Sequence, residues 1–265
     1  MDFDIIIPVG PHDQEIIKVQ LEYTKKNVIG YRNIYLICAD PTICIEGTIT
    51  INENIFPFTK ENIIEIIGNI RVDNGDRTGW YLQQLLKIYA GKVIPGILKR
   101  YLTIDSDTHF LKPTEFITED GKYLFTTSQE YTKEYFEHMN KLHPLLQKYH
   151  PLSGISHHAF FHTDRLTELM ELVESHHINE PCIKILSKME YYTTKPFWTI
   201  FLEKVLEMLQ TTNTTCVCSE YEIYFNYMYH FHPEEIIIRD LKWENVPYLD
   251  TNKDSDYQAV HWYLR

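Results

Sequence analysis

Arg100-Tyr101-Leu102-Thr103-Ile104-Asp105-Ser106-Asp107-Thr108 decides how this chain is read: a β-branched, largely apolar run breaks abruptly into two acids separated by a serine. Carboxylates at i and i+2 at a strand's exit can converge on one cation. Mg²⁺ and Mn²⁺ prefer oxygen ligands, and Mg²⁺ is commonly held by one or two carboxylates together with substrate phosphates, so the pattern suits a metal gripping a diphosphate. Asp and Ser are also ordinary turn formers after a strand, and the tripeptide alone leaves both readings open.

Moving outward, residues 4–9 (Asp-Ile-Ile-Ile-Pro-Val) are a β-branched run ended by Pro8 and Gly10, as in a buried parallel strand. Residues 13–27 carry Ile16, Ile17, Val19 and Leu21 among charges at helical spacing, and 33–38 read as a second buried strand. Strand, helix, strand implies a right-handed parallel crossover. Helices are expected over 59–70 and 78–90, a strand over 100–104 and another over 123–127. Beyond these come helical patterns at 130–149, 164–175, 196–210 and 219–230, with strand candidates only at 159–162 and 235–239. No repeat or Pro/Gly/Ser linker divides the chain. The expectation is one α/β domain over 1–265, a doubly wound, mostly parallel sheet flanked by helices. Ligands of such sheets sit beyond the carboxyl ends of the strands, where Val9, Asp40 and Asp105 fall.

Lys and Arg number 25 against 37 Asp and Glu, a net charge of −12 in 265 residues, which argues against a nucleic-acid partner because phosphate contacts need a positive stripe. The five cysteines (Cys38, Cys44, Cys182, Cys216, Cys218) are odd in number, scattered and without paired C-x-x-C spacing, as suits a reducing compartment. Met1-Asp2-Phe3-Asp4 lacks a basic signal-peptide start, and no apolar run approaches the roughly 18 residues of a membrane span. A cytoplasmic chain without an integral membrane segment is expected, and Asn213-Thr214-Thr215 then has no meaning as a sequon.

In Arg77-Thr78-Gly79-Trp80-Tyr81-Leu82-Gln83-Gln84-Leu85-Leu86-Lys87, Trp80, Gln83, Gln84 and Lys87 share a broad helical stripe. That stripe could face a ligand or solvent, with Leu82, Leu85 and Leu86 as the buried face. Arg77, ahead of Gly79, could clamp a phosphate or pair with an acid. Ser219-Glu220-Tyr221-Glu222 has capping-box spacing. Glu220 and Glu222 are the catalytic candidates of this turn. Glu220 is the choice for a general base, whereas the cap already accounts for Glu222 and the helix dipole favours acids there in any case. His157 and His158 follow Gly154, and one of them could face an acceptor, though a packed histidine reads the same way. Aromatic residues make up 14% of the chain, which suits sugar stacking and a large aromatic core equally.

Taken together, Arg77-Thr78-Gly79-Trp80 with Gln83 to Lys87, Asp105-Ser106-Asp107-Thr108 and Ser219 to Glu222 resemble a poorly characterised glycosyltransferase-like family of bacteria and large DNA viruses with the GT-A fold, over roughly residues 4 to 262. The resemblance implies a nucleotide-diphosphate sugar donor, UDP- or GDP-linked, held through Mn²⁺ or Mg²⁺, and a glycan or other hydroxyl acceptor. It makes 1–127 the nucleotide-sugar half and 128–265 the acceptor half. Asp107 would be the principal metal ligand, Asp105 would reach ribose or metal, Ser106 would lie between them at the donor, and His261 would complete the metal shell. Asp40 would read base or ribose, Pro8 and Val9 would offer backbone groups to the base, Gln83 and Lys87 would line the donor site, and His157 and His158 would meet the acceptor. Glu220 would deprotonate the acceptor hydroxyl, giving single displacement with inversion.

Three rivals stay in view. A haloacid-dehalogenase-like phosphatase would use Asp105 as nucleophile and Leu124-Phe125-Thr126-Thr127 as its second motif, but residues 236–240 lack the later Gly-Asp pair. A nucleotidyltransferase would need a Gly-rich basic loop after the first strand, which is missing. The third is a non-catalytic nucleotide- or carbohydrate-binding module.

Overall fold

The computed structural model describes residues 2–68, 71–72, 75–179, 195–261 and 264, with 71, 72, 75 and 76 described by their backbone alone. Cys182 lies outside these residues. The elements run β1 (Phe3–Val9), α1 (Ile16–Asn27), β2 (Tyr31–Cys38), β3 (Ile49–Asn52), α2 (Lys60–Ile67), β4 (Arg71–Val72), β5 (Gly75–Asp76), α3 (Thr78–Val93), β6 (Arg100–Ile104), β7 (Thr108–Phe110), β8 (Tyr123–Thr126), α4 (Lys133–Leu142), β9 (His158–His162), α5 (Thr163–His176), α6 (Phe197–Thr211), α7 (Glu220–Phe231), β10 (Ile236–Arg239), β11 (Trp243–Val246) and β12 (Tyr257–Val260).

The core is a five-stranded sheet in the order β3-β2-β1-β6-β9. The first four strands are mutually parallel and β9 runs antiparallel on the edge of β6. β1 sits in the middle, and every one of its residues is buried. That is why its sequence is a continuous Ile run instead of an alternation: both faces are covered by other elements. The mostly parallel α/β sheet flanked by helices is therefore the fold, as the sequence predicts. Asp4 is the charged exception in β1, and it survives burial because it is fully paired. It accepts from Arg32 Nε (3.0 Å) and Nη2 (2.6 Å) and from the backbone N–H groups of Asn33 (3.1 Å) and Leu98 (2.8 Å), which ties β2 and the entry to β6 onto β1.

Helix α3 lies close against β6. A Cβ on Gly91 would stand 2.1 Å from Thr163 Oγ1 and 2.7 Å from a Tyr101 ring carbon, so only glycine lets this helix approach. Smaller pairings carry the rest: β10 with β8, β11-β12-β7, and β4 antiparallel with β5. Among the described residues no helix is long and apolar enough to cross a membrane.

The short strands β3, β7, β11 and β12 have no counterpart in the sequence reading. They run three or four residues each, too short for a periodic signal. The helical pattern at 130–149 shortens to α4, Lys133–Leu142, because His143-Pro144 ends it.

Candidate active site

The chain builds the sheet outward from β1 through β2 to β3, then returns to the other side of β1 with β6. Strand order therefore reverses between β1 and β6, and ligand crevices of open α/β sheets form at the carboxyl ends at such a point. The two loops that leave these ends meet there: Ser106 Oγ donates to Asp13 Oδ2 at 2.8 Å. Pro8 and Val9 form the buried end of β1. Asp40 lies beyond the end of β2 on an exposed turn, where the Thr42 hydroxyl (2.6 Å) and N–H (2.9 Å) both donate to its Oδ1 and hold its carboxyl below the usual range.

Two strand pairings bring further groups to Asp105. Because β9 is antiparallel to β6, with His158 opposite Ile104, the chain enters β9 where it leaves β6. The Asp105 N–H donates to the His157 carbonyl at 2.9 Å, and the Thr108 N–H closes the acidic turn on the Asp105 carbonyl at 3.0 Å. His157 sits in the left-handed region at φ 62°, the single non-glycine positive φ among the described residues. Such a residue costs of order 1 kcal/mol and persists where the surroundings hold it in place. On the other side, β7 pairs antiparallel with β12, so the Val260 N–H donates to the Asp107 carbonyl at 2.9 Å and His261 follows immediately.

The result is a cluster in which donor atoms of Asp105, Asp107 and His157 all lie within 4.8 Å of one another. His157 Nδ1 is 3.4 Å from Asp105 Oδ2, and its ring is 5.6 Å from that of His261. Two carboxylates and one imidazole form a donor set that fits a divalent ion: the carboxylates suit Mg²⁺ or Mn²⁺, and the imidazole favours the transition metal of the two. Trp243 closes one side, edge-on to His157 and stacked on Tyr257 at 5.5 Å.

Behind Asp105 lies a buried charged network. Lys87 on α3 is 2% exposed, and its ammonium donates to Asp105 Oδ1 (2.6 Å), Glu220 Oε1 (2.7 Å) and Tyr221 OH (2.9 Å). The Tyr221 hydroxyl in turn donates to Asp105 Oδ1 at 2.8 Å. Burial alone would push the Lys87 ammonium down, but the neighbouring Asp105 and Glu220 carboxylates outweigh it and raise it well above its usual value. Burial likewise works against ionised Asp105, and Lys87 and His157 more than reverse that, holding its carboxyl below the usual range. Burial raises Glu220 despite Lys87.

The sequence candidates thus separate. Lys87, expected to line the donor site, spends all three of its N–H donors on protein oxygens. Glu220 is 4% exposed and ion-paired behind Asp105, instead of standing open in the crevice. Glu222 does not return to the Ser219 N–H as a capping box requires: Ser219 Oγ caps the Glu222 N–H at 3.4 Å, while its carboxylate accepts from Ser153 Oγ at 2.5 Å and Asn226 Nδ2 at 3.0 Å. His157, assigned to the acceptor, joins the acids, and His158 turns into the core. There His158 packs against Phe110, Phe116 and Tyr257, lies 3.2 Å from Thr126 Oγ1, and is lowered to about 3 by burial. His158 opens β9 within the sheet, whereas His157 precedes the strand in the left-handed conformation, and there the two rings part. The Arg77 guanidinium reaches Cys216 Sγ at 3.0 Å and lies over Trp80, while Gln83 is half-buried on α3.

Gln84, read from sequence as part of the polar stripe of α3, turns inward, and its Oε1 accepts the Glu220 N–H at 3.0 Å. Tyr221 and Asp13 were given no role from sequence, and of the two Tyr221 alone had a signal, its place between the two candidate acids.

No curated protein sequence matches this chain. Among solved structures, the fold is similar to the apo crystal structure of mouse xyloside xylosyltransferase 1, with a TM-score of 0.45 and 10% sequence identity over 93% of this chain and 88% of that one. A family model matches residues 41–245, well over half the chain, and the protein therefore belongs to that family, DUF6492, a family of unknown function.

Proposed function

We propose that this protein is a divalent-cation-dependent glycosyltransferase that takes a sugar from a nucleoside-diphosphate donor to an acceptor hydroxyl. The observation that carries this reading is the convergence of Asp105, Asp107 and His157 at the reversal of strand order, where a sheet of this kind opens its crevice. These three residues would hold the ion, with His261 beside them. A bound ion there supplies charge neutralisation for a departing diphosphate.

The chain's own residues do the rest by position. Asp105 and Asp107 present fixed negative charge at the end of β6. The buried Pro8 and Val9 set the floor beside them, where backbone groups are available to a base, and the Ser106–Asp13 hydrogen bond holds the acidic turn against the loop that follows β1. Asp40, exposed at the neighbouring strand end, stays ionised and available to a ribose or base. The Trp243–Tyr257 stack shields the His157 side from water.

The phosphatase reading fares worse on one specific observation. Its second motif would have to stand beside β6, but β8 pairs with β10 outside the five-stranded sheet, and Thr126 Oγ1 faces His158.

Incubation with UDP-, GDP-, CMP- and dTDP-linked sugars, with Mn²⁺ or with chelator, tests the proposal. Hydrolysis or transfer from at least one donor only when Mn²⁺ is present is expected, and its loss in Asp107→Ala. Turnover of a generic aryl phosphate with no donor consumed would overturn it.

A further inference from the structure

The hydrogen-bond directions around Asp105 define a task for residues that do not themselves reach the crevice. An ammonium can only donate, so the Tyr221 oxygen must accept from Lys87, and the tyrosine proton is thereby committed to Asp105. Both donors land on the same carboxylate oxygen, Oδ1, at 2.6 and 2.8 Å. The other oxygen, Oδ2, is the one that faces His157. Asp105 is thus gripped from behind by one oxygen, and its second is presented to the three-residue cluster.

We propose that Lys87 and Tyr221 are positioning residues that fix the Asp105 carboxylate for the cation, and that Glu220 is the buried counter-charge holding Lys87 in place and not the general base. The inference rests on the cation reading of the site given above. Glu220 is pinned on two sides: its side chain takes Lys87 at 2.7 Å, and its backbone N–H is fixed by Gln84 at 3.0 Å. A carboxylate so placed cannot swing to an acceptor without taking one of three acceptors, and one of two counter-charges, from the buried ammonium. Partners of metal-ligating side chains commonly cost roughly 10- to 100-fold in metal affinity when removed.

The test is Mn²⁺ affinity of the full chain, read from the loss of the free-ion electron paramagnetic resonance signal, without any sugar donor. Tyr221→Phe keeps the buried ring and deletes only the hydroxyl, and it is expected to weaken Mn²⁺ binding by about tenfold while leaving the melting temperature within a few degrees. Glu220→Gln is expected to weaken it as well, because the lost negative charge leaves Lys87 pulling on Asp105 alone. A general base would behave differently: Glu220→Gln would then bind Mn²⁺ like the wild type and lose only transfer. Wild-type affinity in Tyr221→Phe overturns the clamp, and wild-type affinity in Glu220→Gln overturns the counter-charge role. A wild-type chain that takes up no Mn²⁺ overturns the cation reading itself, which separates the two failures.

Discussion

The first turn of α7 carries two buried acids that face two different surroundings. Glu220 meets a cation and a second acid, within the cluster of Lys87, Tyr221 and Asp105. Glu222 is hydrogen-bonded by neutral donors, the Ser153 hydroxyl and the Asn226 amide, with the Lys148 cation acting on it without an ion pair. The neutral cluster has a complete structural account. It ties the loop before β9 to α7 at a place where that loop is already in contact: a Cβ on Gly154 would stand 2.4 Å from Phe225 Cβ, and Ser153 exchanges backbone hydrogen bonds with Ser128. The charged cluster has no such account, because buried ion pairs are often no better for stability than apolar residues of the same volume. What it does supply is a carboxylate held in one orientation beside Asp107 and His157.

The largest effect that could break this contrast is on stability. Lys87→Met leaves Asp105 and Glu220 facing each other in the interior without a cation, and is expected to cost about 3–5 kcal/mol in urea unfolding. An unchanged midpoint would mean the cluster is hydrated, and its distinction from the neutral one would vanish. Glu222→Ala leaves a hydroxyl and an amide short of an acceptor, and about 1–3 kcal/mol is expected. Its Mn²⁺ affinity should stay at the wild-type level; a loss would show that the neutral cluster also serves the site.

A third, more gradual effect follows from the core histidines. His158 and His138 are held neutral by burial, at about 3 and about 4, below their ordinary 6.5. Unfolding frees both to take up protons. Their contribution is therefore complete above pH 6.5 and is lost progressively as the pH falls toward 4. Melting temperature should decline over that window, and His158→Phe should flatten the decline; an equally steep profile in the variant would place the acid sensitivity elsewhere. The smallest effect is expected at the exposed Asp40: Asp40→Ala should leave melting unchanged while weakening donor binding, and unchanged donor affinity would remove it from the site.

Much of this architecture was legible in the residues. β1, β2 and β6 announce themselves as apolar, β-branched runs, and β6 ends at Ile104, directly before the acids. The element β9 was legible too, but not its direction. Direction decides the site, since only an antiparallel β9 begins where β6 ends and delivers His157 to Asp105. His261 shows the same blindness in another form. Its approach to Asp107 depends on β7 and β12, four residues or fewer each, whose pairing is set by tertiary contacts. Lys87 was visible as a polar position, yet its neighbours Leu85, Leu86 and Ile88 are buried with it, and a cation set in such a run can face inward when acids await it there.

The central claim concerns one ion at one cluster, and calorimetric titration with UDP and GDP reaches it most directly. With Mn²⁺ present, at least one of the two nucleotides should bind the wild-type chain, and binding should disappear both with chelator and in Asp107→Ala. Nucleotide binding of equal strength in all three conditions, or none in any, would contradict the account.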